Sequence, residues 1–124
     1  MNKITVGVLS LALCGGLAWA ADTKAAPAKD VTMSGEVLDL ACYMGHEGKG
    51  DKHASCAKKC LEGGAPAGLL TADGKVFVLV NDHSAEAAYQ GLKDLAGQNA
   101  KITGMVSKRG GLQSLIVKKT EKAG

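Results

Sequence analysis

Leu69-Leu70-Thr71-Ala72-Asp73-Gly74-Lys75-Val76-Phe77-Val78-Leu79-Val80 sets the fold class. Two apolar runs flank Asp73-Gly74, and Asp-Gly in that setting is among the strongest local hairpin signals, because glycine supplies the positive φ a tight turn needs. The arms are Leu69–Thr71 and Val76–Val80, joined through Ala72 to Lys75. The second arm is apolar without interruption, which predicts a strand covered on both faces.

Upstream of the hairpin, Ala65-Pro66-Ala67-Gly68 forms a turn. Before it, Gly63-Gly64 ends a short helix over residues 52–62, with Asp51 as its N-cap. Lys58 and Lys59 lie toward the end of that helix, where the dipole favours positive charge. Residues 46–50 form a Gly-rich charged loop. The first strand is Val31 to Asp39, in which Val31, Met33 and Val37 alternate with Thr32, Ser34 and Glu36. Gly35 inside this pattern predicts a bulge or sharp bend of the kind that closes barrels. The strand then runs on through Leu40-Ala41 and delivers Cys42.

Downstream, Ser84 or Asp82 caps a helix over residues 85–96, with Ala85, Ala88, Leu92 and Leu95 on one face and Gly97 as the stop. A last hairpin pairs Ala100–Ser107 with Leu112–Lys119 through Lys108-Arg109-Gly110-Gly111. Strand, short helix, hairpin, helix, hairpin is the order of a mainly β, five-stranded Greek-key barrel of the OB type. Its capping helix lies between strands three and four. The helix over residues 52–62 is then an insertion between strands one and two. An open α+β sheet is the alternative.

Gly35-x-Val37-x-Asp39-x-x-Cys42-Tyr43, followed by His53-x-x-Cys56-x-x-x-Cys60 and Gly74-Lys75-Val76-Phe77, resembles a group of small exported bacterial OB-like domains. The likeness spans most of the chain after residue 30. It implies the barrel and export, and no catalytic residue.

Residues 1–20 have the pattern of a secretory signal peptide: Lys3, an apolar run from Ile4 to Leu17, and Ala18-Trp19-Ala20 as cleavage site. The run is shorter than the roughly 20 residues a spanning helix needs. Attachment of lipid at Cys14 is the minority alternative, disfavoured by Leu13 where a small residue belongs. Residues 21–30, rich in Ala and Lys, are expected as a disordered leader, residues 31–120 as one domain, and 121–124 as a polar tail. A periplasmic or secreted monomer follows, with no transmembrane segment in the mature chain.

Cleavage of 20 residues from 124 leaves 104, a single-domain length. Lys3 leaves with them, so the formal net charge falls from +3 to +2, too weak to argue for nucleic acid. With Trp19 gone, only Tyr43, Phe77 and Tyr89 remain to stack on a base. Gly-x-Ser-x-Gly, P-loop and dinucleotide patterns do not occur, so familiar hydrolase and nucleotide chemistry lacks support and the balance leans against an enzyme without deciding it.

The chemistry concentrates between Cys42 and Cys60. Removal of Cys14 leaves three cysteines, an odd number that cannot all pair within one chain. On a helix, His53, Cys56 and Cys60 stand at i, i+3 and i+7, within about 60° of one face. Cys42 and His46 arrive from just upstream. Three thiolates with an imidazole form a tetrahedral zinc set, and thiolate-rich sites also suit copper(I), with Met44 as a further thioether. A disulfide from Cys42 to Cys56 or Cys60 competes on equal terms and would contribute about 2–4 kcal/mol. Cys56–Cys60 is disfavoured, since Cβ atoms four apart on a helix lie about 5–6 Å from each other.

The first expectation is therefore a periplasmic non-enzymatic module with zinc or copper on Cys42, Cys56, Cys60, His53 and His46, its partner or ligand unassigned. The second is a disulfide-stabilised module binding a protein, glycan or small ligand. The third is a thiol-redox protein, for which a CxxC site is missing.

Overall fold

The Asp73-Gly74 turn joins β2 (Ala67–Thr71) to β3 (Val76–Asn81) as a hairpin, with Gly74 at φ +79°. Thr71 N–H donates to the Lys75 carbonyl and Gly74 N–H to that of Thr71, both at 2.9 Å. Asp73 accepts from the Thr71 hydroxyl and from Lys75 Nζ, each at 2.5 Å. The computed structural model that gives this arrangement describes residues 29–124. The signal segment, Cys14 and residues 21–28 of the expected leader lie outside those residues.

Around the hairpin, β1 (Asp30–Asp39), β4 (Asn99–Arg109) and β5 (Leu112–Lys122) complete a closed barrel in the order β1-β2-β3-β5-β4. β1 closes it by pairing twice: residues 35–39 run antiparallel to β2, and residues 30–36 antiparallel to β4. β3 and β5 pair in parallel, from Val78↔Ser114 to Asn81↔Val117. This is the expected five-stranded OB-like barrel.

Gly35 and Glu36 are the residues β1 uses on both sides, Gly35 opposite Thr71 and Ala100. A Cβ there would meet the Leu70 carbonyl oxygen at 2.4 Å, so the backbones approach too closely for any side chain. The register break itself falls in β4, between Thr103 and Gly104.

The core inside the barrel includes Val37, Leu69, Phe77, Leu79, Ala100, Ile102, Leu115 and Val117. β3 differs from its expectation. Phe77 and Leu79 point inward, Val76 and Val78 are half-buried, and Val80 is 39 % exposed. A barrel strand has one interior face, and no helix lies fully over the other.

The helix expected over residues 85–96 divides at Gly91 into α3 (Glu86–Gln90) and a 3₁₀ segment, Gly91–Leu95. Its N-cap is Ala85, without a side-chain bond. Asp82 instead accepts from Ser84 N–H at 2.9 Å and Ser84 Oγ at 2.7 Å, forming a turn ahead of the helix. Leu92, 1 % exposed, inserts into the core from this segment, a burial worth about 1.5–3 kcal/mol. The segment docks on β1 through Gly97 N–H to the Val37 carbonyl (2.8 Å) and Val37 N–H to that of Gln98 (3.0 Å).

Two short helices stand between β1 and β2: α1 (Leu40–His46) and α2 (Ala54–Glu62). α1 corrects the expectation that the strand continues to Cys42. Asp39 has extended backbone and accepts from Ala41 N–H at 2.9 Å, capping a helix where strand was expected. α2 begins two residues late. His53 is its N-cap position, and Asp51 contributes only its backbone carbonyl, to Ala54 N–H. Ala57 and Leu61, one turn apart, fix α2 to the core. At the other end of the chain β5 extends to Lys122, beyond the expected start of the tail.

Candidate metal centre

Asp39 begins the site. It follows Val37 by two residues, so strand alternation gives the two side chains the same inward face. Val37 fills the barrel, and Asp39 arrives at its end fully buried. Oδ1 is occupied by Ala41 N–H, whereas Oδ2 is buried with no hydrogen-bond partner among backbone or polar side-chain groups. The cysteine side chains that approach this carboxyl are those of Cys42 and Cys60.

Cys42 lies on the first turns of α1, and four residues later His46 occupies the same helix face. Met44, two residues from Cys42, falls about 200° around the helix and so faces away. It is 77 % exposed and lines a groove of about 420 Å³ with Leu40, Val76, Val78 and Leu112. The thioether therefore belongs to a different surface from the thiols.

From α2, His53, Cys56 and Cys60 complete the cluster. Ligand atoms of Cys42, His53 and Cys56 all lie within 4.8 Å of one another. Those of Asp39, Cys42 and Cys60 do the same. Cys42 alone belongs to both groups. The first opens to solvent through Cys56, and the second reaches inward to Asp39. His53 Nε2 is, like Asp39 Oδ2, buried without a partner. His46 is in neither group. Its ring meets that of His53 edge-on, with centroids 5.5 Å apart.

Backbone packing holds the two helices together here. Glu47 takes the left-handed conformation (φ 55°) and ends α1, donating its N–H to the Tyr43 carbonyl at 2.9 Å. The turn brings Gly48 over both imidazoles. Gly50 N–H donates to Glu36 Oε1, tying the loop back to β1. Lys58 bonds Asp94 (2.5 Å) and Glu62 (3.2 Å), linking α2 to the 3₁₀ segment; as solvent-exposed pairs they add little to stability.

Cys42, Cys56 and Cys60 are free thiols. The Asp39 carboxylate raises the Cys42 thiol, with burial and Cys60 adding to it, to about 12. Asp39 and burial likewise push Cys60 up. Burial pushes the Asp39 carboxyl up, but the nearby Cys42 and Cys60 thiols and the Ala41 N–H outweigh it and hold it below its ordinary value. The carboxylate in turn disfavours ionisation of the two thiols beside it. A metal ion competes with those protons for the same lone pairs.

The donors fit a metal. Soft sulfur, one imidazole and one carboxylate converge with two unpaired buried acceptors among them, the donor chemistry of zinc or copper. Of the expected ligands, Cys42, His53 and Cys56 form one cluster and Cys60 joins Cys42 in the other, while His46 belongs to neither. Asp39, which was not among the expected ligands, is the added donor of the inner cluster. Its signal was positional: an inward-parity residue at a strand end, three before a cysteine.

The fold and site define a class: a closed five-stranded β barrel bearing a Cys/His/Asp cluster able to hold a metal ion. No protein-family model, curated protein or solved structure matches the chain. Among the described residues no helix is long and apolar enough to cross a membrane.

Proposed function

We propose that the chain is an exported, non-enzymatic binding module that holds zinc or copper(I) through Cys42, Cys56, Cys60, His53 and Asp39. One observation carries this reading. Each of the two ligand groups contains a residue with a buried polar atom that has no partner, His53 Nε2 in one and Asp39 Oδ2 in the other. Such an atom costs about 1–3 kcal/mol unless something binds it, and a cation beside thiols satisfies it. The signal-like residues 1–20 and the resemblance to exported OB-like domains support a periplasmic location.

The test is metal analysis of protein purified without oxygen, alongside a count of free thiols. Bound zinc or copper, with thiols that metal protects from alkylation, is the expected result. Three reactive thiols and no metal after addition of Zn²⁺ or Cu⁺ would end this reading.

A disulfide-stapled module is the second reading, favoured by the approach of Cys42 Sγ to within 4.8 Å of both Cys56 and Cys60. It predicts one free thiol and a mass lower by two hydrogens. Replacement of Cys42 would then destabilise the domain without any metal phenotype.

A further inference from the structure

We propose that the centre is binuclear, with Cys42 Sγ bridging one ion on His53 and Cys56 and a second on Asp39 and Cys60. This rests on the metal reading above and adds the number of ions and the role of each ligand.

Three observations lead there. The five side chains divide into two triads, each with its ligand atoms inside 4.8 Å, and Cys42 is common to both. Around an ion with bonds of about 2.0–2.3 Å, three ligands stand about 4 Å apart. Each triad, with its atoms inside 4.8 Å, needs only a small contraction to take one ion.

The residues that carry an unpartnered buried atom also divide, one to each triad: His53 belongs to the outer and Asp39 to the inner. A single ion in either triad leaves the other residue without a partner. Two ions give each of them one.

Charge decides in the same direction. Three thiolates and one carboxylate carry four negative charges into a site whose inner end is fully buried. One divalent ion neutralises half of that, and uncompensated charge in such surroundings is strongly disfavoured. Two Zn²⁺ ions neutralise all of it. Two Cu⁺ ions leave two negative charges, shared among polarizable sulfurs. Thiolate sulfur has lone pairs enough to serve two ions at once, which carboxylate-free single-ion geometry does not require of it. The bridge falls to Cys42 because α1 places it between the two exposures, solvent-facing Cys56 and buried Asp39.

The experiment is a titration of the reduced chain with Zn²⁺ under nitrogen, read by elemental analysis and native mass spectrometry, and repeated with Co²⁺. Two zinc ions per chain are expected, falling to one in Cys56→Ser and one in Cys60→Ser. Far-UV circular dichroism checks that each variant is folded, and the wild-type stoichiometry needs no variant. With Co²⁺, the paramagnetic resonance signal should grow over the first equivalent and shrink over the second, as the bridging sulfur couples the two spins. One ion per chain at saturation overturns the binuclear proposal and leaves the metal reading standing. Two ions with additive, uncoupled signals overturn the bridge. No bound ion overturns the metal reading itself.

Discussion

A Cβ on Gly48 would stand 2.7 Å from Nε2 of His53 and 3.0 Å from Cε1 of His46. The atoms it would strike are the far ends of side chains, so the rings would turn while the backbone stayed. Gly48→Ala is therefore expected to move the imidazole out of the outer ligand group and leave the barrel intact. Zinc affinity should fall about 10–100-fold, as when a supporting group of a metal ligand is lost, with little change in the metal-free melting temperature. Chelator competition and thermal unfolding measure the two.

Gly97 presents the opposite case. It has φ +71°, and a Cβ there would meet the Ala54 Cα at 2.7 Å, a backbone atom of the first turn of α2. Gly97→Ala thus combines left-handed strain with overpacking and is expected to cost about 2–4 kcal/mol. Chemical denaturation measures it. Because α2 carries three of the ligands, zinc binding should weaken in parallel with stability.

Zinc uptake should release protons. With the Cys42 thiol raised to about 12 by Asp39 and burial, Cys42 is protonated at neutral pH, and so is Cys60. Metal must displace both, so affinity should rise steeply with pH between 6 and 8. Calorimetry in buffers of different ionisation heat counts the protons. An uptake that releases none would show that neither thiol ligates.

The β2–β3 turn has its own pH response. Lys75 first, and the Thr71 hydroxyl after it, hold the Asp73 carboxyl down to about 2 against an ordinary 3.8. A depressed carboxylate stabilises the folded state fully above its unfolded value, and that contribution is lost as pH falls from about 3.8 through about 2. Carbon NMR of the carboxyl should show the low midpoint, and Lys75→Met should return it toward 3.8. The turn is exposed, so the effect on global stability is small.

Much of the barrel was legible because its signals are local. Asp73-Gly74 and Gly110-Gly111 mark the turns, and the alternation in β1 marks a strand half inside. The exceptions are places where tertiary contacts override local pattern. The run Val76–Val80 implies two covered faces, but only the barrel side is filled. Residues 85–96 carry a helical stripe, yet Gly91 and the need to insert Leu92 tighten the second half into 3₁₀ form. At the site, spacing marked His53, Cys56 and Cys60, which the structure divides between two groups that share Cys42. Asp39 was not legible as a donor, since its burial depends on how β1 ends against α2, which starts 15 residues further along the chain.

Barrel closure also orders events in time. β1 has its second partner in β4, with Asp30 opposite Met105, and β3 waits for β5. Such distant pairings form slowly compared with local helices and hairpins. Cys42, Cys56 and Cys60 precede β2, so they emerge from synthesis well before the strands that complete the wall beside them. Exported to an oxidising compartment as proposed, the chain would carry these three thiols uncovered through its slowest step. An ion captured early by the stretch from Asp39 to Cys60 would guard them during that interval, making the cargo a protector of its carrier.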